Sequence, residues 1–257
     1  MLIAQLSDPH LRVGPRGGEP SALLHRALGR ALGQHPAPDC VLITGDVVDN
    51  GRQEEYEAFL AIAEGFPVPI HLVAGNHDDA KTMASVFGGT SYLGASDGTW
   101  YTVDHADARI VVLDSAVPGS MSGHLGEAQL TWLDGALAER PEVPALVCLH
   151  HPPVDIGMAF LDSIKLDNPE ALRAVLVRHS HVRRILAGHV HRPITAEFAG
   201  ITVSIAPSTF RQAVLDLETG SPTGYVHETP GLLLHHVTAD GFVTHLVPTL
   251  EGPVGYY

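Results

Sequence analysis

Basic residues, cysteine and long apolar runs are all scarce in this chain. Fifteen Lys+Arg stand against twenty-nine Asp+Glu, a formal charge of −14. An acidic surface repels a phosphate backbone over long range, which argues against a nucleic-acid polymer as partner. A small anion could still be held by metal ions, which reverse the field locally. The two cysteines, Cys40 and Cys148, each adjoin an apolar run of β type, so buried free thiols are expected rather than a disulfide. No apolar run approaches the ~20 residues needed to cross a bilayer. The opening MLIAQLSDPH lacks the basic region and small-residue cleavage site of a signal peptide. Together these absences predict a cytoplasmic protein without a membrane partner.

Histidine, by contrast, is plentiful: the seventeen histidines outnumber Lys and Arg combined. With 45% hydrophobic and 17% charged residues, the chain has globular composition, and 257 residues suffice for a sizeable core. No linker, internal repeat or low-complexity stretch divides it, which predicts one domain over residues 1–257. The Pro/Gly-rich stretch Gly14–Pro20 is short enough to be a loop.

Apolar runs of four to six residues recur at Leu2–Leu6, Val41–Ile43, Ile70–Val73, Ile110–Leu113, Ala145–Leu149 and Val182–Leu186. Their length and Val/Ile/Leu content suit strands covered on both faces. Helical spacing falls between them: Leu23–Ala31 with Ser21 as cap, Gln53–Glu64, Glu127–Glu139, and Pro169–His179 with Asn168 as cap. This alternation predicts an α/β fold with parallel crossovers. His179, His181, Arg183 and Arg184 are placed at the close of the last helix, where cations complement the dipole. The final third reads as strands at Ile194–Phe198, Thr202–Ile205, Leu232–Val237 and Phe242–Val247. Ala239-Asp240-Gly241 is the turn of a terminal hairpin.

The polar clusters fall where these strands end. Asp8 and His10 follow the first, Asp46 the second, Asn76 and His77 the third, His150 the fifth, and His189 with His191 the sixth. In open α/β sheets the carboxyl edge is where ligands bind, because the loops there surround a crevice. Asp8, His10, Asp46, Asn76, His150, His189 and His191 are thus seven candidate metal ligands converging from five loops. Gly45, Gly75 and Gly188 precede three of the clusters and would allow close backbone approach. Mixed imidazole, carboxylate and amide donors suit Mn, Fe, Zn or Co better than Mg or Ca. Two such ions ~3.5–4 Å apart can clamp a phosphoryl group and generate hydroxide near neutral pH. A single histidine at a strand end is more often a hydrogen-bonded core residue; the conjunction of seven donors is what favours a metal site. His151 is open between substrate contact and packing, and His124 between pocket and surface.

The blocks DPH, GDVVDN, GNHDD, LHHPP and GHVH, in this order, resemble the calcineurin-like metallophosphoesterase superfamily. The chain is most similar to its class III cyclic-nucleotide phosphodiesterases and glycerophosphodiester phosphodiesterases. The resemblance spans nearly the whole chain and implies a four-layer αββα sandwich with two mixed β-sheets. It also implies two divalent transition-metal ions, one held by Asp8, His10, Asp46 and His191, the other completed by Asn76, His150 and His189, with Asp46 bridging. His77 would contact the phosphoryl oxygen or protonate the leaving group, and Arg211 is a substrate-contact candidate beside Asn76 and His77. Residues 208–230 would cap the pocket and residues 231–250 form terminal strands. The activity implied is hydrolysis of a small phosphodiester, such as 3′,5′-cyclic AMP or a glycerophosphodiester, by metal-activated hydroxide. A phosphomonoesterase and a non-catalytic scaffold of the same fold remain alternatives, and a homodimer or larger homo-oligomer stays open.

Overall fold

Short Val/Ile/Leu runs flanked by polar clusters become the strands of two sheets in the computed structural model, which describes residues 1–218, 223–238 and 241–250. The first sheet contains β1 (Leu2–Leu6), β2 (Cys40–Thr44) and β3 (Ile70–Val73), with β12 (Gly231–Thr238) and β13 (Gly241–Pro248), in the order β13-β12-β1-β2-β3. β1, β2 and β3 run parallel, while β12 lies antiparallel to β1. The second sheet contains β4 (Tyr101–Asp104), β5 (Arg109–Val112), β6 (Ala145–Cys148), β7 (Val182–Ala187), β8 (Ile194–Phe198) and β9 (Ile201–Ile205), in the order β4-β5-β6-β7-β9-β8. β5, β6, β7 and β9 are parallel, with antiparallel strands at both edges.

Side-chain alternation assigns the layers. Ile110, Val112, Leu146, Cys148 and Leu186 join the core of the first sheet. Their neighbours Val111, Val147, Leu149, Ile185 and Ala187 turn the other way, into a second core. That core is completed by α4 (Glu127–Ala138) and α6 (Pro169–Leu176). Helices α1 (Gly18–Leu32), α2 (Gln53–Ala63) and α3 (Ala80–Phe87) cover the outer face of the first sheet. The result is a four-layer αββα sandwich. A short helix, α5 (Ala159–Ser163), and a two-stranded ribbon of β10 (Gln212–Ala213) and β11 (Tyr225–Val226) lie outside the layers.

Several local expectations change. Helix α1 begins at Gly18, so Ser21 lies inside it rather than capping it. Asn168 precedes α6 but makes no capping bond; its side chain instead accepts from Leu125 N–H and donates to Leu125 O. Helix α6 ends at Leu176, and Arg183 and Arg184 belong to β7. The Arg184 guanidinium stacks on Phe242, 5.1 Å from the ring centroid, linking the sheets rather than complementing a helix dipole. β12 and β13 pair up to Thr238↔Gly241, as a hairpin requires, while Ala239 and Asp240 of its expected turn lie outside the described residues. Cys40 and Cys148 are buried free thiols.

Candidate metal centre

The expected ligands converge on the carboxyl edge shared by the two sheets. Asp8 and His10 follow β1, Asp46 follows β2 and Asn76 follows β3, all in the first sheet; His150 follows β6, and His189 and His191 follow β7, in the second. The sheets meet closely here because two glycines carry no side chain. A Cβ on Gly188 would overlap Ser7, the Thr44 carbonyl and Asp8, and one on Gly45, whose φ is +95°, would overlap the His150 ring. The backbone itself is bent to present donors. Of seven non-glycine residues with left-handed φ among those described, five are Asp8, His10, Asp46, His189 and His191. Each such residue costs about 1 kcal/mol or more, a cost that accumulates where geometry serves function.

Asp8, His10, Asp46 and His191 form one buried group of donors. His10 Nε2 and His191 Nε2 are 3.0 Å apart, His191 Nε2 is 3.4 Å from Asp8 Oδ1, and His10 Nε2 is 3.6 Å from Asp46 Oδ2. On the other side, His150 Nε2 stands 3.1 Å from Asn76 Oδ1 and 3.4 Å from Asp46 Oδ1. The His189 ring is 5.1 Å from that of His150. Asp46 therefore faces both groups, one oxygen toward each.

The histidines are oriented from behind. His150 Nδ1 donates to Thr44 O at 2.8 Å and His191 Nδ1 to Arg211 O at 2.8 Å, which leaves each Nε2 lone pair aimed inward. His10 Nδ1 lies 3.2 Å from Asp49 Oδ1. These inward atoms are nearly all acceptors, packed where water is excluded, and the buried Nε2 of His189 has no partner. Such a donor set lacks its counter-charge and fits divalent cations.

Proton affinities respond accordingly. Burial pushes Asp46 up, but His150 and then His10 outweigh it and hold the carboxyl well below its ordinary value. Asp8 is likewise held low against burial by His191. Burial pushes His150 down, yet Asp46 and then Asp8 raise it to about 9. His191 is raised against burial by Asp8, whereas burial drives His189 down to about 3.

His77 is half-exposed at the rim. Its backbone N–H donates to Asp46 Oδ1 at 2.8 Å, its Nδ1 to Asp49 O at 2.9 Å, and its ring meets that of His10 edge-on at 4.7 Å. Arg211 is clasped between Phe210 and Tyr225, 4.4 and 4.6 Å from their ring centroids. Tyr225 stacks at 5.3 Å on His191, so the ribbon closes over the first group of donors. His151 is spoken for: Ser115 Oγ at 2.8 Å and Met121 O at 3.1 Å occupy its two nitrogens. His124 pairs with Asp167 on the surface.

Sequence reasoning passed over two carboxylates. Asp49 steadies His10 while pairing with Arg12, whose Nε lies 3.1 Å from Oδ2. Asp78 accepts N–H bonds from Gly75, Val47 and Val48 and the hydroxyl of Tyr56, lashing the β3 loop to the β2 loop. Their only signal was position within DVVDN and GNHDD.

Comparison with known proteins agrees. A family model described as calcineurin-like phosphoesterase matches residues 1–193. A probable glycerophosphodiester phosphodiesterase of Arcobacter nitrofigilis is 32% identical, with 100% of this chain and 97% of the relative covered. A 3′,5′-cyclic adenosine monophosphate phosphodiesterase of Pseudomonas aeruginosa is 33% identical over 81% of this chain and 76% of the relative. Among solved structures, a dimetal phosphatase from Danio rerio superimposes with a TM-score of 0.71 at 17% identity, covering 98% and 97% of the two chains, a likeness of fold. The fold and donor set are those of a metal-dependent hydrolase. The chain belongs to the calcineurin-like phosphoesterase family, a hydrolytic class, and divalent metal ions are its cofactors.

Proposed function

We propose that the protein hydrolyses small phosphodiesters, either 3′,5′-cyclic nucleotides such as cyclic AMP or glycerophosphodiesters. Two divalent transition-metal ions, drawn from Mn, Fe, Zn and Co, would be held by Asp8, His10, Asp46 and His191 on one side and by Asn76, His150 and His189 on the other. The observation that carries this reading is Asp46, which turns Oδ2 toward His10 and Oδ1 toward His150, so that its carboxylate could serve both groups of donors. The relatives named as glycerophosphodiester and cyclic-nucleotide phosphodiesterases support the diester class.

Bound there, the ions supply Lewis acidity toward the phosphoryl oxygens and a hydroxide nucleophile near neutral pH. The chain does the rest. Asp49 and the Thr44 and Arg211 carbonyls fix the imidazoles so that their lone pairs converge without reorganisation. His77 is anchored by its backbone N–H and by Nδ1, so Nε2 is the atom left to meet a phosphoryl oxygen or to pass a proton to the departing alkoxide. Arg211 offers its positive charge beside the first group of donors, and the described residues of the expected cap, 208–218 and 223–230, form it. In that segment Ser208 Oγ donates to Asp8 O at 2.7 Å, so cap and metal loop are tied together.

The test is a substrate panel with Mn-reconstituted protein: cyclic AMP, glycerophosphocholine, glycerophosphoethanolamine and bis-p-nitrophenyl phosphate, against p-nitrophenyl phosphate. Diester turnover exceeding monoester turnover is expected. Turnover of the monoester alone would reassign the protein as a phosphomonoesterase, and failure to bind any transition metal would leave a scaffold.

A further inference from the structure

Far from the polar loops, a second set of donors bridges the two sheets. Cys40 opens β2, and His71 lies on the neighbouring strand β3, where Leu42↔His71 are in register. Residues 40 and 42 share a face, so the thiol and the imidazole emerge on the same side of the first sheet. His105 comes from the other sheet, in the turn between β4 and β5, where its backbone N–H donates to Ala108 O. The donor atoms of Cys40, His71 and His105 all lie within 4.8 Å of one another.

Two of those atoms are anomalous as core constituents. His71, 3% exposed, donates through Nδ1 to the Ser91 carbonyl at 2.9 Å. A carbonyl only accepts, so the proton is on Nδ1 and Nε2 carries a bare lone pair. That buried Nε2 has no hydrogen-bond partner, and neither has the buried Nε2 of His105. A single S–H could serve one of the two and would leave the other unmet, at a cost of about 1–3 kcal/mol. A cation satisfies all three at once.

We propose that Cys40, His71 and His105 form a mononuclear site for a borderline-soft divalent ion, Zn(II) by its chemistry, that pins edge strand β3 of the first sheet to edge strand β4 of the second. One thiolate and two imidazoles suit zinc and are a poor match for Mg or Ca. The site shares no residue with the proposed dinuclear centre and stands whether or not the phosphodiesterase reading does. In the free site both imidazoles are neutral, His71 and His105 each being pushed down chiefly by burial. Burial also drives the Cys40 thiol up to about 12, so the free site holds a thiol. Binding replaces the S–H bond with a metal–sulfur bond and passes one proton to solvent.

Thiolate ligation gives this site a signature that an oxygen- and nitrogen-ligated centre lacks. Full-length protein kept reduced is titrated with Co(II), with the near-ultraviolet thiolate-to-cobalt charge-transfer band and proton release recorded together. In an Asp46→Ala background, which disables the dinuclear centre, the band should grow to saturation at about one equivalent per chain with release of about one proton. It should vanish in Cys40→Ser and persist in Cys148→Ser. Cys40→Ser should otherwise keep its circular dichroism and its hydrolysis of bis-p-nitrophenyl phosphate. His105→Ala, a change on a half-buried turn, should shift the titration to higher Co(II) even if Cys40→Ser fails to fold. The absence of a band in the parent protein, a band surviving Cys40→Ser or lost in Cys148→Ser, or an unmoved titration in His105→Ala would each overturn the proposal.

Discussion

His10 Nε2 and His191 Nε2 face each other across 3.0 Å in the buried centre. The Nδ1 of His191 is committed to the Arg211 carbonyl, so its Nε2 presents a lone pair unless it takes up a further proton. Two such atoms at this separation need a proton or a cation between them. The same competition holds for His150, raised to about 9, and for His191, also raised. Without metal His150 is protonated at neutral pH, and a cation must displace that proton. Metal binding at pH 7 should therefore release protons, and affinity should rise as pH climbs toward about 9. Calorimetry of Mn(II) binding in buffers of different ionisation enthalpy measures this directly. Zero proton release would contradict the assignment.

Asp46 is the residue on which both halves of the centre depend. Asp46→Ala removes the carboxylate facing His10 and His150 and the acceptor for His77 N–H. It should abolish metal at the dinuclear centre and diester hydrolysis together, whereas Asn76→Ala should deplete chiefly the ion on the His150 side. Elemental analysis after reconstitution in metal-defined buffer gives the stoichiometry. Full activity in either variant would remove the residue from the ligand set.

Asp49 acts through His10 and is predicted to tune rather than abolish. Asp49→Ala frees His10 Nδ1 and releases Arg12, so the ring loses its orientation. Partners of this kind are typically worth about 10–100-fold in metal affinity or activity. Raising the Mn(II) concentration should restore part of the lost turnover. A loss that no metal concentration repairs would place Asp49 at the reacting atoms instead.

Much of this centre could be read from the chain because each ligand cluster directly follows a Val/Ile/Leu run, so strand ends and donors are coupled in sequence. The partition of those strands between two sheets is different. Leu2–Leu6 and Val182–Ala187 look alike as sequence, and only the five-block resemblance implied two sheets. Strand β4 escaped notice because YTVD mixes exposed and buried positions at a sheet edge. Helix α3 escaped because eight residues give barely two turns of pattern. The supporting carboxylates were hidden for a deeper reason. Which of Asp46 and Asp49, or of Asp78 and Asp79, faces the metal side is decided by left-handed turns at Asp46 and by loop-to-loop bonds, and neither has a periodic signature.

His77 and Arg211 separate by kinetics. His77→Ala leaves the ligand set intact, so metal content should hold while kcat falls by about 10²–10⁴-fold, the usual worth of a positioned proton donor. Arg211→Ala should raise KM more than it lowers kcat, since a cation beside the ions assists binding of an anionic diester. Loss of metal in the His77 variant would make that residue structural, and an unchanged KM in the Arg211 variant would exclude substrate contact.

Stability should also carry a pH signature from a histidine outside the ligand set. His235 is buried between β1 and β13, with Nε2 2.8 Å from Gln5 Oε1 and Nδ1 2.9 Å from Thr244 Oγ1. Gln5 Oε1 only accepts, so Nε2 carries a proton, and in the neutral ring Nδ1 accepts from the Thr244 hydroxyl. Burial, and after it the Arg184 charge, depresses its pKa to about 3. The unfolded chain binds a proton at this residue near pH 6.5 and the folded chain does not. Its contribution is therefore fully present above pH 6.5 and is lost as pH falls from there toward about 3. Between pH 6.5 and 5 the loss reaches about 2 kcal/mol for this one group. Urea unfolding of His235→Gln and the parent protein across that range isolates the term, because the other buried histidines are common to both. The variant should be less stable at pH 7.5 and should lose stability less steeply on acidification. Parallel curves for the two proteins would mean that His235 takes up a proton in the folded state as readily as in the unfolded one.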